Sequence, residues 1–289
     1  MTAQPPATSY ESRLRRVIRH IADHPDGDLS LDALCEVAGM SRFHFARVFH
    51  AMTGETAAQA VRRLRLHRAA FDLTRGTDPV DRIAARSGYD NADSFVRAFK
   101  ALYGMTPTAF RQAGRSTADA MTFTTVPTGE TDMTDTYPTE LRVCPALRLA
   151  ALEHRGPYHE IGRSFSDLAT LFATRGLFPQ ARALVGIYHD SPEDTPQAEL
   201  RSTAGMDVAE GFEMPEDLTR VDVPGGEHLV LTMRGPYTGL PAAWGYLYGT
   251  ALPASGRLPA DRPPYEYYLN NPMDTAPEDL LTEIRVPLS

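Results

Sequence analysis

One pattern occurs twice in the first third of this 289-residue chain, and it constrains the fold more than any other feature. The first copy runs Leu31-Asp32-Ala33-Leu34-Cys35-Glu36-Val37-Ala38-Gly39-Met40-Ser41 and continues through Phe43, Phe45, Arg47, Phe49 and Gly54. The second runs Val80-Asp81-Arg82-Ile83-Ala84-Ala85-Arg86-Ser87-Gly88-Tyr89 and continues through Phe95, Arg97, Phe99 and Gly104. Gly39 and Gly88 are 49 positions apart, Arg47 and Arg97 are 50 apart, and one inserted residue explains the difference. Each copy reads as a helix, a glycine turn and a second helix. Two such units in tandem predict a chain that reads two successive stretches of DNA major groove.

The surrounding periodicity fits an all-helical segment. Leu14, Val17, Ile18 and Ile21 share one face of a helix over 11–24, closed by Pro25-Asp26-Gly27-Asp28. Ser30 is placed to cap 31–38 and Ser41 to cap 42–52. Gly39 supplies a turn that needs positive φ. Residues 56–75 read as one long helix ending at Gly76, roughly 30 Å at 1.5 Å per residue, close to the ~34 Å between successive groove faces. Its Arg62, Arg63, Arg65 and Arg68 are expected in solvent or near phosphates. Asn91 is placed to cap 92–102, and 107–112 closes the segment.

On the second helix of each unit the apolar residues define an inward face, Phe45, Val48, Phe49 and Met52 in one and Phe95, Phe99 and Leu102 in the other. The outward residues are then Arg42, Phe43, Ala46, Arg47 and His50, and Ala92, Asp93, Val96, Arg97 and Lys100. Arg47 and Arg97 suit bidentate contacts to guanine, and Phe43, Ala46, Ala92 and Val96 suit thymine methyls. The alternative is a plainly solvated helix face, which the repetition makes less favoured.

The net charge of −8 argues against DNA binding until it is divided along the chain. Residues 1–115 carry +5 and residues 116–289 carry −13. A basic front and an acidic back predict different partners for each. The two cysteines, Cys35 and Cys144, lie in different halves and argue against a disulfide framework. No run approaches the ~20 apolar residues of a membrane span, and residues 1–10 lack a secretory pattern. A cytoplasmic, nucleoid-associated protein with no membrane partner is therefore expected. The histidines show no zinc spacing, no glycine-rich phosphate loop precedes a helix, and no catalytic triad is indicated. No metal, no cofactor and no catalytic residue is expected, and the chain is not read as an enzyme.

Residues 30–112 resemble the DNA-binding domain of the AraC/XylS family of regulators. Ala38-Gly39-Met40-Ser41, Phe45-Ala46-Arg47-Val48-Phe49, Gly88-Tyr89, Phe95-Val96-Arg97-Ala98-Phe99-Lys100 and Tyr103-Gly104-Met105-Thr106-Pro107 carry the likeness. The resemblance implies two helix-turn-helix units joined by a long helix. Ala46, Ala92 and Asp93 depart from it, being small or acidic where relatives often carry polar base-readers, so no operator sequence is carried over.

The back half has its own duplication. Arg155-Gly156-Pro157-Tyr158 returns as Arg234-Gly235-Pro236-Tyr237, and Tyr188, Pro192 and Thr195 return as Tyr268, Pro272 and Thr275. Strands are expected at 148–154, 184–189 and 205–208 around a helix over 162–175. They recur at 227–233, 265–269 and 283–288 around a helix over 240–249. Trp244, Tyr246, Tyr248, Tyr265, Tyr267 and Tyr268 crowd into 25 positions of this acidic half. Aromatic faces with a carboxylate suit a flat or cationic apolar ligand; the competing reading is an aromatic core. Residues 137–289 resemble the GyrI-like, Rob-type effector-binding domain through the duplicated turns, Gly186-Ile187-Tyr188-His189-Asp190, Tyr268-Leu269-Asn270-Asn271-Pro272 and Thr282-Glu283-Ile284. That resemblance implies a cation-facing acid at Glu283; with the aromatic crowding it gives an expected effector site of Tyr188, Trp244, Tyr267, Tyr268 and Glu283. It also brings a rival, since some relatives without a DNA-binding half are hydrolases using a tyrosine and this glutamate, here Tyr188 with Glu283.

The expected fold is thus two domains, an all-α tandem helix-turn-helix domain over 11–113 and an α+β GyrI-like domain of two βαββ repeats over 137–289. Residues 114–136 would link them, with a short strand at 121–126. The expected function is a sequence-specific DNA-binding transcriptional regulator whose C-terminal half binds an aromatic or cationic effector, with double-stranded promoter DNA and RNA polymerase as partners. A small-molecule hydrolase and a sequestering or inhibitory binding module are the alternatives.

Overall fold

The computed structural model describes residues 9–113, 136–272 and 274–289. The expected linker over 114–136, with its strand at 121–126, lies almost wholly outside the described residues. Seven helices come first: α1 (Ser9–Asp23), α2 (Leu31–Ala38), α3 (Arg42–Thr53), α4 (Ala57–Arg75), α5 (Val80–Arg86), α6 (Ala92–Tyr103) and α7 (Pro107–Ala113). Their starts follow local chemistry. The Ser30 hydroxyl accepts from the Ala33 N–H, Thr56 and Gln59 form a reciprocal capping box, and the Asn91 side chain accepts from the Ser94 N–H.

Gly39 and Gly88 end α2 and the second unit's first helix with φ of 63° and 77°. A Cβ on Gly39 would also stand 2.7 Å from Arg13 Nη1, and one on Gly88 would stand 2.6 Å from Arg65 Nη1. Both turns therefore need the missing side chain twice over, for backbone freedom and for the arginine lying across them.

The C-terminal part is an antiparallel eight-stranded sheet with helices. Its strands are β1 (Thr139–Cys144), β2 (Leu147–Arg155), β3 (Ala181–Tyr188), β4 (Arg201–Val208), β5 (Thr219–Val223), β6 (Gly226–Arg234), β7 (Tyr265–Tyr268) and β8 (Leu281–Pro287). The spatial order is β1-β6-β8-β7-β3-β4-β2-β5. The two expected repeats are present as β2-α8-β3-β4, with α8 at Gly162–Thr174, and β6-α9-β7-β8, with α9 at Leu240–Tyr246. Past α9 the chain makes a wide π turn over Leu247–Ala251 and a last short helix, α10 (Leu252–Ser255). The repeats are interleaved at their edges: β1, which leads into the first repeat, pairs with β6 of the second, and β5, which leads into the second, pairs with β2 of the first.

Register decides what shares a face. Gly186 lies opposite Glu266, and Glu266 lies opposite Ile284, so these belong to the helix-bearing face. Tyr267 lies opposite Glu283 on the other face. Packing divides the molecule unexpectedly. The second helix-turn-helix unit has its own core of Leu66, Ala69, Leu73, Ile83, Phe95, Phe99 and Phe110. The first does not: Leu14, Val17, Leu34, Phe45 and Phe49 are continuous with Leu229, Leu231, Leu247, Tyr248 and Ile284 of the sheet domain. Leu102, expected to face inward on α6, is 42% exposed, because the second unit has no such partner.

No helix among the described residues is long and apolar enough to cross a membrane. Among the same residues no cluster of three or more His, Cys, Asp or Glu is placed to hold a metal ion.

Candidate functional site

The two outward faces have different fates. On α6, Asp93, Arg97 and Lys100 are exposed while Ala92 and Val96 are half-buried at the helix surface. Arg97 is exposed and donates to the Ser94 hydroxyl, 3.2 Å away in its own helix. On α3, Arg42 is exposed, with its guanidinium 3.3 Å from Asp32, and Phe43 and His50 are half-buried. Ala46 and Arg47, expected in solvent, are 1% and 8% exposed. The inward set on α3 is as the periodicity predicts; the correction arises because the sheet domain covers the opposite side of the helix.

That cover is polar as well as apolar. His44 is fully buried, with Nδ1 2.8 Å from the Tyr248 hydroxyl and Nε2 3.0 Å from the Arg262 carbonyl oxygen. A carbonyl can only accept, so Nε2 carries the proton and Nδ1 accepts from Tyr248. Burial, with Arg47 nearby, pushes the His44 pKa down to about 3, which keeps the ring neutral. The Tyr10 hydroxyl donates to the Arg257 carbonyl at 2.6 Å, tying α1 to the same domain. Arg47 itself donates to the carbonyl oxygens of Phe43, Tyr188 and Asp190, and its guanidinium lies 5.9 Å from the Trp244 ring.

The arginines of α4 are divided too. Arg62 and Arg68 are exposed. Arg63 instead forks onto Glu55 at 2.6 and 3.1 Å, and Arg65 donates to the Pro25 carbonyl at 3.1 Å, so these two brace the fold.

Beside Arg47, on the helix-bearing face of the sheet, lies the aromatic cluster. Its centre is Glu266, 2% exposed. The hydroxyls of Tyr188 and Tyr268 donate to one carboxylate oxygen at 2.7 and 2.5 Å, and the Trp244 indole N–H donates to the other at 2.7 Å. Gly186 makes room for this floor, since a Cβ there would meet the Tyr188 and Tyr268 hydroxyls at 3.2 and 3.4 Å. Tyr158, Phe165 and Tyr237 wall the cluster edge-on. Burial drives the Glu266 carboxyl above the usual range, against the pull of its three donors. The Tyr188 and Tyr268 phenols are also raised well above the ordinary tyrosine value, first by burial and then by Glu266.

Of the expected effector residues the structure brings together Tyr188, Trp244 and Tyr268. It separates Tyr267 and Glu283 from them. The Glu283 carboxylate is closed off by Arg142 at 2.7 Å and Arg285 at 2.6 Å on the opposite face of the sheet. Tyr267 lies there too, with the Arg285 guanidinium 3.9 Å from its ring and its hydroxyl donating to Asp207 at 3.3 Å. The physical reason is the two-residue period of a strand, which turns Glu266 and Tyr268 one way and Tyr265 and Tyr267 the other. Glu266 is absent from the expected effector set, although alternation within Tyr265-Glu266-Tyr267-Tyr268 pairs it with Tyr268.

The GyrI-like small molecule binding domain family matches residues 138–289, more than half of the chain. The chain belongs to the GyrI-like family. A helix-turn-helix domain family matches residues 34–113. Over 121 residues the chain is 37% identical to the DNA gyrase inhibitor of Yersinia enterocolitica, covering 40% of this chain and 76% of that protein. It is 26% identical over 250 residues to the right origin-binding protein of Escherichia coli, covering 83% of this chain and 84% of that one. It is 31% identical over 105 residues to the transcriptional regulator Rob of Salmonella typhimurium, covering 36% of each. This GyrI-like protein is therefore an AraC-type DNA-binding transcriptional regulator with a GyrI-like effector-binding domain.

Proposed function

We propose that the effector is a hydrophobic aromatic cation held over the floor of Glu266, Tyr188, Trp244 and Tyr268, and that its binding alters how the first helix-turn-helix unit meets DNA. The observation that carries this reading is a buried carboxylate, Glu266, ringed by three aromatic donors. A carboxyl that burial has raised above its usual range gains from an arriving cation, which favours its ionised form where water is excluded. Aromatic faces add cation–π attraction at the same place. Coupling to DNA follows from the core that the first unit shares with this domain, because a ligand that repacks the floor bears directly on α3. Arg97 and Lys100 of α6 remain free for a second groove, and the exposed side of the first unit is a candidate surface for RNA polymerase.

We infer regulation without turnover. Tyr188 is held as a neutral donor to Glu266 and not as a phenolate nucleophile, and Glu283 is on the far side of the sheet.

Trp244 is the only tryptophan of the chain, so its emission reports on the floor directly. Titration with methyltriphenylphosphonium should change that emission with an affinity at least tenfold above that for neutral triphenylphosphine oxide. Equal affinities, or no response to either, would remove the cation site.

A further inference from the structure

Arg47, the arginine expected to read a base from the first unit, is engaged elsewhere in this structure. It sits against the effector floor. Arg47 is 8% exposed, although it lies on the helix face that carries Arg42, Phe43 and His50 outward. Its guanidinium stands near the Trp244 ring and donates to the carbonyl oxygens of Tyr188 and Asp190, while the Trp244 N–H and the Tyr188 hydroxyl are bound to Glu266. A planar cation with several N–H groups has thus been seated at the rim of a site built for a cation. None of the acceptors named for it is a carboxylate. A buried guanidinium so compensated is weakly held, because carbonyl dipoles and an aromatic face replace only part of its hydration.

We propose that Arg47 is a built-in ligand of the effector domain: its guanidinium fills the subsite that takes the cationic N–H donor group of the effector, so effector binding and docking of α3 exclude one another. This rests on the aromatic floor being the effector site. Two consequences follow. The effector class narrows to amidinium- or guanidinium-bearing aromatics, because the two carbonyls reward N–H donors and give nothing to a quaternary ammonium. The effector also works by release, since the arginine it displaces belongs to the helix that enters DNA. The apparent affinity for effector is lowered by the fraction of molecules that are docked, and anything that undocks α3 recovers it.

The test uses the full chain, Trp244 emission, and benzamidine against phenyltrimethylammonium as probes. Arg47→Ala should bind benzamidine at least tenfold more tightly than the native chain. His44→Ala, which removes a neutral anchor on α3 and leaves the subsite intact, should tighten benzamidine at least threefold. In Arg47→Ala, phenyltrimethylammonium should bind at least tenfold more weakly than benzamidine. The proposal is overturned if Arg47→Ala leaves benzamidine affinity unchanged or lower. It is equally overturned if only the Arg47 change tightens binding, which would mean that a repelling charge and not a competing helix had been removed. Equal affinity for the two probes would remove the N–H donor subsite. No benzamidine response in any variant would overturn the proposal while leaving the aromatic floor to be decided by the phosphonium titration.

Discussion

Glu266→Gln should lower affinity for methyltriphenylphosphonium at least 100-fold, roughly 3 kcal/mol at 1.36 kcal/mol per decade. Removing one partner of a buried charge pair costs that much or more, because the remaining charge is stranded away from water. The substitution keeps shape, and glutamine approximates the protonated acid. The sign of its effect on stability separates lost binding from lost folding. Burial raises the Glu266 pKa, so its stabilising contribution is present at low pH and is lost as pH rises through the folded value. As pH rises the native chain carries a growing cost of ionising a buried carboxyl, and the variant does not. The melting temperature of Glu266→Gln should therefore not fall at pH 8, while calorimetric titration loses the cation. A variant that binds the phosphonium normally would show that Glu266 is not the acid of the site. Glu283→Gln, by contrast, should leave that affinity within threefold, since its partners are Arg142 and Arg285.

Acidification should open the chain. When α3 is undocked, His44 titrates near the ordinary value of about 6.5; docked, it is held at about 3. The open form takes up a proton first, so docking is at full strength above the ordinary value and weakens as pH falls. The loss is at most tenfold per pH unit, about 100-fold by roughly pH 4.5. The groups packed around His44 are Tyr248, Arg47 and the Arg262 and Ala260 carbonyls. Elsewhere in the structure, Asp194 and Glu266 have carboxyls raised by burial, so they titrate in the opposite sense. His44→Gln isolates the histidine from them. The radius of gyration from small-angle scattering should rise between pH 6.5 and 4.5 in the native chain and stay flat in His44→Gln. A native radius that does not change with pH would remove His44 as a determinant of docking.

Much of this architecture is legible locally. The glycine turns at Gly39 and Gly88, the inward sets Phe45, Val48, Phe49 and Phe95, Phe99, and the repeated RGPY turns follow from rules that act over a few residues. The edge strands β1 and β5 each carry a short alternation, Leu141 with Val143 and Val221 with Val223, but the runs are brief and largely exposed, so they stand out little from loops. Ala46 and Arg47 were misplaced for a different reason. Helical period says which residues point away from one core and is silent about a second body that covers them. Arg47 meets Tyr188 and His44 meets Tyr248 across 141 and 204 residues of sequence. The charges of +5 and −13 in the two parts suggest separate partners. They equally describe two surfaces suited to each other. Glu283 rests on the family resemblance, whereas strand alternation sets Glu266 and not Glu283 beside Tyr268.

If α3 docked on the effector domain is withheld from DNA, a reversible lock between the two must weaken DNA binding. A Cβ on Gly249 would stand 3.5 Å from the Cβ of Ala51 on α3, within the roughly 3.5–4.5 Å that a disulfide requires. Ala51→Cys with Gly249→Cys should therefore crosslink the docked state, while native Cys35 and Cys144 stay buried. On a duplex selected from random sequence with the reduced protein, the oxidised double variant should bind at least tenfold more weakly, and dithiothreitol should restore the affinity. Equal affinity of the oxidised and reduced forms would show that docking of α3 does not withhold it from DNA.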